Sequence, residues 1–191
     1  MLAVALDACP KNEDYIVLGD SFSGPIALNT AVSAEHKPIS LVLVNTFVSS
    51  PRNVLTKLAR YTPQKLLSNP PERVLEYLLK EKEAELRPLE RIVPVLVSIS
   101  PNLVKSRLMS IDTVSVKNIA RRVSVPVCVL QAANDSAISN NARRELTQSL
   151  KNRQIHVLPG NHFSLQTFPA TCAHLITQFV EKHHGVRDNE P

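Results

Sequence analysis

The chain has 191 residues, 43% of them hydrophobic and 20% charged, with 4 Gly and 14 Pro. That is one domain with a core of its own, too short for two large domains and outside the collagen-like, low-complexity and disordered compositions. The net charge of +5 comes from 22 Lys and Arg interleaved with 17 acids, and aromatics are 4% with no Trp, which leaves few stacking faces for single-stranded nucleic acid.

The densest basic points, Arg121-Arg122 and Arg143-Arg144, are only pairs, so the charge reads as a solvated basic surface, with an anionic partner or a membrane surface as the alternative. Cys9, Cys128 and Cys172 are widely spaced and form no C-x-x-C pair. Neither a disulfide frame nor a zinc site follows from them, and a reducing, cytoplasmic setting fits. No apolar run reaches the length of a membrane span. The start, Met1 to Ala8, lacks a basic leader and is interrupted by Asp7, unlike a secretory signal.

In chain order, Tyr15 to Leu18 is a short β-prone run closed by Gly19-Asp20-Ser21, and Phe22 to Ala34 then has helical spacing through Ile26, Ala27, Ala31 and Val32. Strand, sharp turn and helix follow one another there. Ile39 to Val44 is a nearly continuous apolar run of the kind buried on both faces of a parallel sheet. The stretch from Val48 to Ser124 reads as several helices punctuated by prolines, one of them starting at Pro71-Glu72 with Val74, Leu75, Leu78 and Leu79 behind it. A third apolar run, Val125 to Leu130, precedes a helix from Asn140 to Leu150. The fourth, Ile155 to Leu158, precedes a last helix from Pro169 to about His183, and the polar tail from Gly185 to Pro191 is expected to fray. Strands alternating with helices make the fold α/β: a mainly parallel sheet of about four strands, flanked by helices. Residues 1–47 and 125–191 form the core, and 48–124 form a helical cap between the second and third strands.

Chemistry concentrates just past the strand ends. Ser21 sits on the strand-to-helix turn Gly19-Asp20-Ser21-Phe22-Ser23-Gly24, where a tight turn projects the hydroxyl and aims the next amide, Phe22 N–H, at a developing oxyanion. Taken alone, this is also a glycine-rich turn with a capping Ser or Asp. Asp135 follows the third strand and His162 the fourth, and each alone is an ordinary loop residue. Together they answer one need: a serine hydroxyl is a weak nucleophile at neutral pH, so a histidine must take its proton and a carboxylate must fix the imidazole. The remaining histidines, His36, His156, His174, His183 and His184, do not follow strand ends, and Asp20 reads as a cap or as a group that tunes the site.

These residues resemble the α/β-hydrolase superfamily, its esterases and lipases in particular, whose nucleophile turn is G-x-S-x-G. Here the last position is Ser23, with Gly24 adjacent. The order Ser, acid, His is that of the superfamily, and Leu158-Pro159-Gly160-Asn161-His162-Phe163 is similar to its P-G-x-H-F segment. The resemblance implies a serine carboxylic-ester hydrolase for short or medium acyl esters, with Ser21, Asp135 and His162 catalytic and Phe22 N–H as an oxyanion donor. No cofactor and no metal are implied.

A rival resemblance is to the SGNH esterases, whose opening block is like Gly19-Asp20-Ser21-Phe22-Ser23 and whose G-x-N-D block Ala132-Ala133-Asn134-Asp135 approaches. That family places its acid three residues before the histidine, where this chain has Pro159. From a different class, a non-catalytic scaffold or ligand-binding protein of the same fold stays open. The superfamily has about four strands before the nucleophile strand, and only twenty residues precede Ser21 here. The chain therefore reads as a short form lacking those strands. Tyr15 to Leu18 would then be an apolar edge, and self-association over it is expected.

Overall fold

The computed structural model describes residues 1–51, 94, 95 and 98–185. Among them the elements in chain order are α1 (Leu2–Asp7), β1 (Ile16–Asp20), one 3-10 turn (Ser21–Ser23), α2 (Gly24–Ser33), β2 (Ser40–Val44), α3 (Pro101–Thr113), α4 (Lys117–Ala120), β3 (Val127–Ala132), α5 (Asn140–Ser149), β4 (Arg153–Leu158), α6 (Ser164–Thr167) and α7 (Pro169–His184). The expected helix from Pro71 to Leu79 and the tail after Gly185 lie outside the described residues.

The four strands form one parallel sheet in the order β1-β2-β3-β4. Continuous apolar runs take the middle: every residue of β2 is buried, as is every residue of β3 except Gln131. This is what a strand covered on both faces requires. On one face, Leu41, Leu43, Val127 and Val129 pack with Ala27, Leu28 and Ala31 of α2 and with Leu146 and Leu150 at the end of α5. On the other, Val42, Val44, Cys128 and Leu130 pack with Cys172 and Phe179 of α7. Period-2 alternation of β-strand side chains produces the split, odd-numbered residues of β2 facing α2 and even-numbered ones facing α7. Burial pushes the Cys128 thiol up to about 11, so it stays protonated and packs as a small apolar group.

Several strand boundaries differ from the sequence reading. Pro126, which has no N–H to give a ladder, stays outside β3. At the other end β3 continues through Gln131 and Ala132 because they pair with Val157 and Leu158. β1 likewise runs on through Gly19 and Asp20, paired with Leu43 and Val44, so the nucleophile candidate Ser21 starts on the first residue past the ladder.

Between β2 and β3, the described residues include the helices α3 and α4. Ser100 caps α3, its hydroxyl accepting from Leu103 N–H, with Pro101 at the first helical position. A bridge between Ser49 and Ser115, with Val116 N–H donating to Val48 O at 2.7 Å, returns the chain to the sheet. Among the described residues, no helix is long and apolar enough to cross a membrane.

Candidate active site

The turn after β1 is built by close approach. A Cβ on Gly24 would lie 1.9 Å from Thr46 Oγ1, and one on Gly19 would lie 2.6 Å from the Ala27 Cβ and 2.8 Å from the Gly24 Cα. Neither position admits a side chain. Gly24, one residue beyond the last position of the G-x-S-x-G pattern, therefore meets the steric demand, and Ser23 is free to do other work. Its hydroxyl donates to Asp20 O and accepts from Asp20 N–H, both at 2.8 Å. Ser21 itself has φ 50°, a left-handed conformation that a non-glycine residue holds only under constraint. Part of that constraint is Thr46, whose hydroxyl donates to Ser21 O at 2.6 Å.

The three residues singled out past strand ends come together. Ser21 Oγ lies 2.7 Å from His162 Nε2, and His162 Nδ1 lies 2.9 Å from Asp135 Oδ2. The Asp135 carboxylate is fully buried and only 12% of the His162 side chain is exposed. Asp135 Oδ1 accepts from Ala137 N–H and Ile138 N–H at 2.8 and 2.9 Å, so both carboxylate oxygens are engaged. A carboxylate can only accept. The proton on His162 is therefore held at Nδ1, and Nε2 is left bare to accept from the Ser21 hydroxyl.

Sheet pairing continues into the loops and sets this geometry. Beyond the last ladder pair, Ala133 N–H donates to Leu158 O and Asn134 N–H to Gly160 O, at 2.9 and 3.0 Å, which holds the Asp135 loop against the His162 loop. Asn134, the SGNH-like candidate, thus has its backbone N–H committed to loop pairing.

Asn45 was not singled out from the sequence. It is buried directly after β2, with φ 43°. Its amide group donates to His162 O at 2.8 Å and Ser164 Oγ at 3.0 Å, and its Oδ1 accepts from Ala132 N–H at 2.8 Å. One side chain thereby ties the ends of β2 and β3 to the histidine loop. The available signal was its place, a polar residue following a wholly apolar strand at the end of the sheet where the other site residues lie.

Asp20 caps the one-turn 3-10 helix. Burial raises its carboxyl from the usual 3.8 to about 6, with the Asp135 charge adding to the rise and His162 opposing it. Phe22, second in that turn, has an N–H at a helix start, where the turn itself offers no acceptor. A cleft of about 1050 Å³ lies elsewhere, lined by Ser49, Lys117, Arg144, Glu145 and Gln148 among others and by none of Ser21, Asp135 or His162. Hydrogen-bonded chemistry at strand ends, where open α/β sheets bind their ligands, marks the site better than cleft size does.

No protein-family model and no curated protein sequence matches the chain. Solved structures do. A lipase-esterase related protein from Clostridium acetobutylicum superposes with a TM-score of 0.77 at 13% identity, covering 93% of this chain and 73% of its own. A malate-bound thermophilic esterase from Thermogutta terrifontis gives 0.73 at 17% identity, with 90% and 66% covered. The enol-lactonase from Burkholderia xenovorans gives 0.65 at 19%, with 85% and 64% covered. The chain thus spans about two thirds of the length of such structures. Its four-stranded parallel sheet with flanking helices is an α/β-hydrolase fold, and the three structures named are a lipase-esterase related protein, an esterase and an enol-lactonase.

Proposed function

We propose that the protein is a serine carboxylic-ester hydrolase acting on short or medium acyl esters through an acyl-enzyme. The observation that carries this reading is the continuous chain from Ser21 Oγ to His162 at 2.7 Å and from His162 to Asp135 at 2.9 Å. Ser21 Oγ attacks the ester carbonyl carbon while His162 Nε2 takes its proton, and Asp135 holds the imidazolium that forms. The tetrahedral oxyanion accepts from Phe22 N–H. Collapse expels the alcohol, which leaves with the proton returned by His162. Water, deprotonated by the same nitrogen, then attacks the acyl carbon, and the acid departs as Ser21 is regenerated. A second oxyanion donor comes from the cap, a partner or a side chain. The reading keeps residues 48–124 as an insertion between the second and third strands of a core made of 1–47 and 125–191.

The reading includes a cytoplasmic setting, in line with three free cysteines, two of them buried, and self-association through β1. The fold matches include a lactonase, which favours including cyclic esters among the substrates tested.

Hydrolysis of p-nitrophenyl esters from acetate to longer acyl chains, and of a simple lactone, by the wild type and by Ser21→Ala tests the proposal. Loss of at least about a thousandfold in kcat in the variant is expected. Equal rates in both, or no turnover by a folded wild type, would move the assignment to a non-catalytic ligand-binding protein.

A further inference from the structure

We propose that the site takes esters whose acyl part carries a carboxylate a few bonds from the scissile carbonyl, with Arg107 as the residue that holds this carboxylate. The inference rests on the ester-hydrolase reading above and names its substrate class. Arg107 lies in the middle of α3, and its guanidinium carbon sits 5.8 Å from the centroid of the Phe22 ring. Phe22 directly follows Ser21, so the cation is seated over the residue whose amide faces the reacting carbonyl. Consecutive Cα atoms are about 3.8 Å apart, so Arg107 is seated on the side chain of the nucleophile's immediate neighbour in the chain.

Among the described residues, nothing in the packing of α3 accounts for an arginine here. None of its residues is buried and Arg107 is exposed. Among the described residues the ion pairs are Lys117 with Glu145 and His162 with Asp135, and no carboxylate lies within ion-pair distance of Arg107. Asp135 has both oxygens committed to His162 and two amides. Lys105 is the other basic residue of α3, and the helix has no acid before Asp112.

A guanidinium resting on a ring keeps its N–H donors for a planar anion and is held in place at little entropic cost. A carboxylate matches that fork with two parallel hydrogen bonds. The diacid monoester would lie with its ester over Ser21 and Phe22 N–H, its methylenes along the Phe22 ring and its free carboxylate on Arg107.

The test compares monomethyl glutarate and monomethyl adipate with the length-matched neutral esters methyl valerate and methyl hexanoate, following released methanol. The readout is the ratio of kcat/KM between the anionic and the neutral ester. The wild type is expected to favour the anionic ester. Arg107→Gln is expected to lower the ratio by about tenfold or more, Arg107→Lys by less, and Phe22→Leu, which keeps the amide and removes the ring, by about threefold. Calorimetric titration with glutarate gives a readout free of turnover, with binding about tenfold weaker in Arg107→Gln.

An unchanged ratio together with glutarate binding that is absent or insensitive to Arg107 would overturn the inference, and Ser21-dependent turnover of the neutral esters would then leave the hydrolase reading standing. Conversely, Arg107-dependent glutarate binding by a protein that hydrolyses no ester would support the anion site and remove the hydrolase reading.

Discussion

The inner strands and the first strand of the sheet do opposite jobs at the same site. β3, buried except at Gln131, leads into the Asp135 loop, and β2, buried throughout, leads into Asn45. β1 carries Ser21, yet among the described residues it has a neighbour on one side only, and its Ile16 and Leu18 are 37% and 43% exposed. The acid thus hangs from the best-packed part of the molecule, whereas the nucleophile follows β1 and the histidine follows β4, the two edges of the described sheet. What joins them is the pair of residues just past β2. Thr46 donates to Ser21 O and packs on Gly24, and Asn45 donates to His162 O while accepting from Ala132 N–H. Precision at an edge strand is supplied by its inner neighbour.

Breaking that brace should have the largest effect. Asn45→Ala removes three hydrogen bonds, leaves the Ala132 N–H buried without its partner and places alanine at φ 43°. A loss of about 3 kcal/mol is expected by chemical denaturation, with Asn45→Asp, which keeps the acceptor, falling between. Wild-type stability in Asn45→Ala would show that β1 and the histidine loop are held by something else.

Asp20 sharpens the comparison through pH. Its carboxyl is raised to about 6 chiefly by burial, so the folded state binds a proton that the unfolded chain releases near the ordinary carboxylate value. The stabilisation is full below about pH 4 and is lost as pH rises through about 6. The loss is about 2 kcal/mol after allowance for partial exposure. Stability followed by urea denaturation between pH 4 and 7 should show this fall in the wild type, and a flatter profile in Asp20→Asn. The same slope in both would contradict the assignment.

The smallest expected effect on stability, and a large one on assembly, belongs to the outer face of β1. Among the described residues β1 is an edge strand with half-exposed apolar side chains, and such an edge invites a second copy, paired antiparallel across a two-fold axis. Sedimentation velocity should find the wild type dimeric and Leu18→Lys monomeric. A wild type that stays monomeric at all concentrations would mean that the edge is tolerated uncovered.

Much of this was legible in the sequence because it is local. Apolar runs placed all four strands, and the polar residues just past three of them, Ser21, Asp135 and His162, are the ones the structure brings within hydrogen-bond distance. What could not be read depends on register. Gln131 and Ala132 look like loop until they pair with Val157 and Leu158. Asn45 acquires its partners only when β2 lies between β1 and β3. Gly24, outside the motif by one place, proves to be the glycine in closest contact once Thr46 is set against it. The short helix α6 escaped notice because four residues carry too little periodicity to register.

The central claim is that Ser21, activated by His162, is the nucleophile. Reaction with a fluorophosphonate, followed by intact mass and peptide mapping, tests it without assuming a substrate. The account predicts one adduct per chain, on Ser21, absent in Ser21→Ala and formed at least about a hundredfold more slowly in His162→Ala. No adduct on the folded wild type, or one that persists in Ser21→Ala, would contradict it.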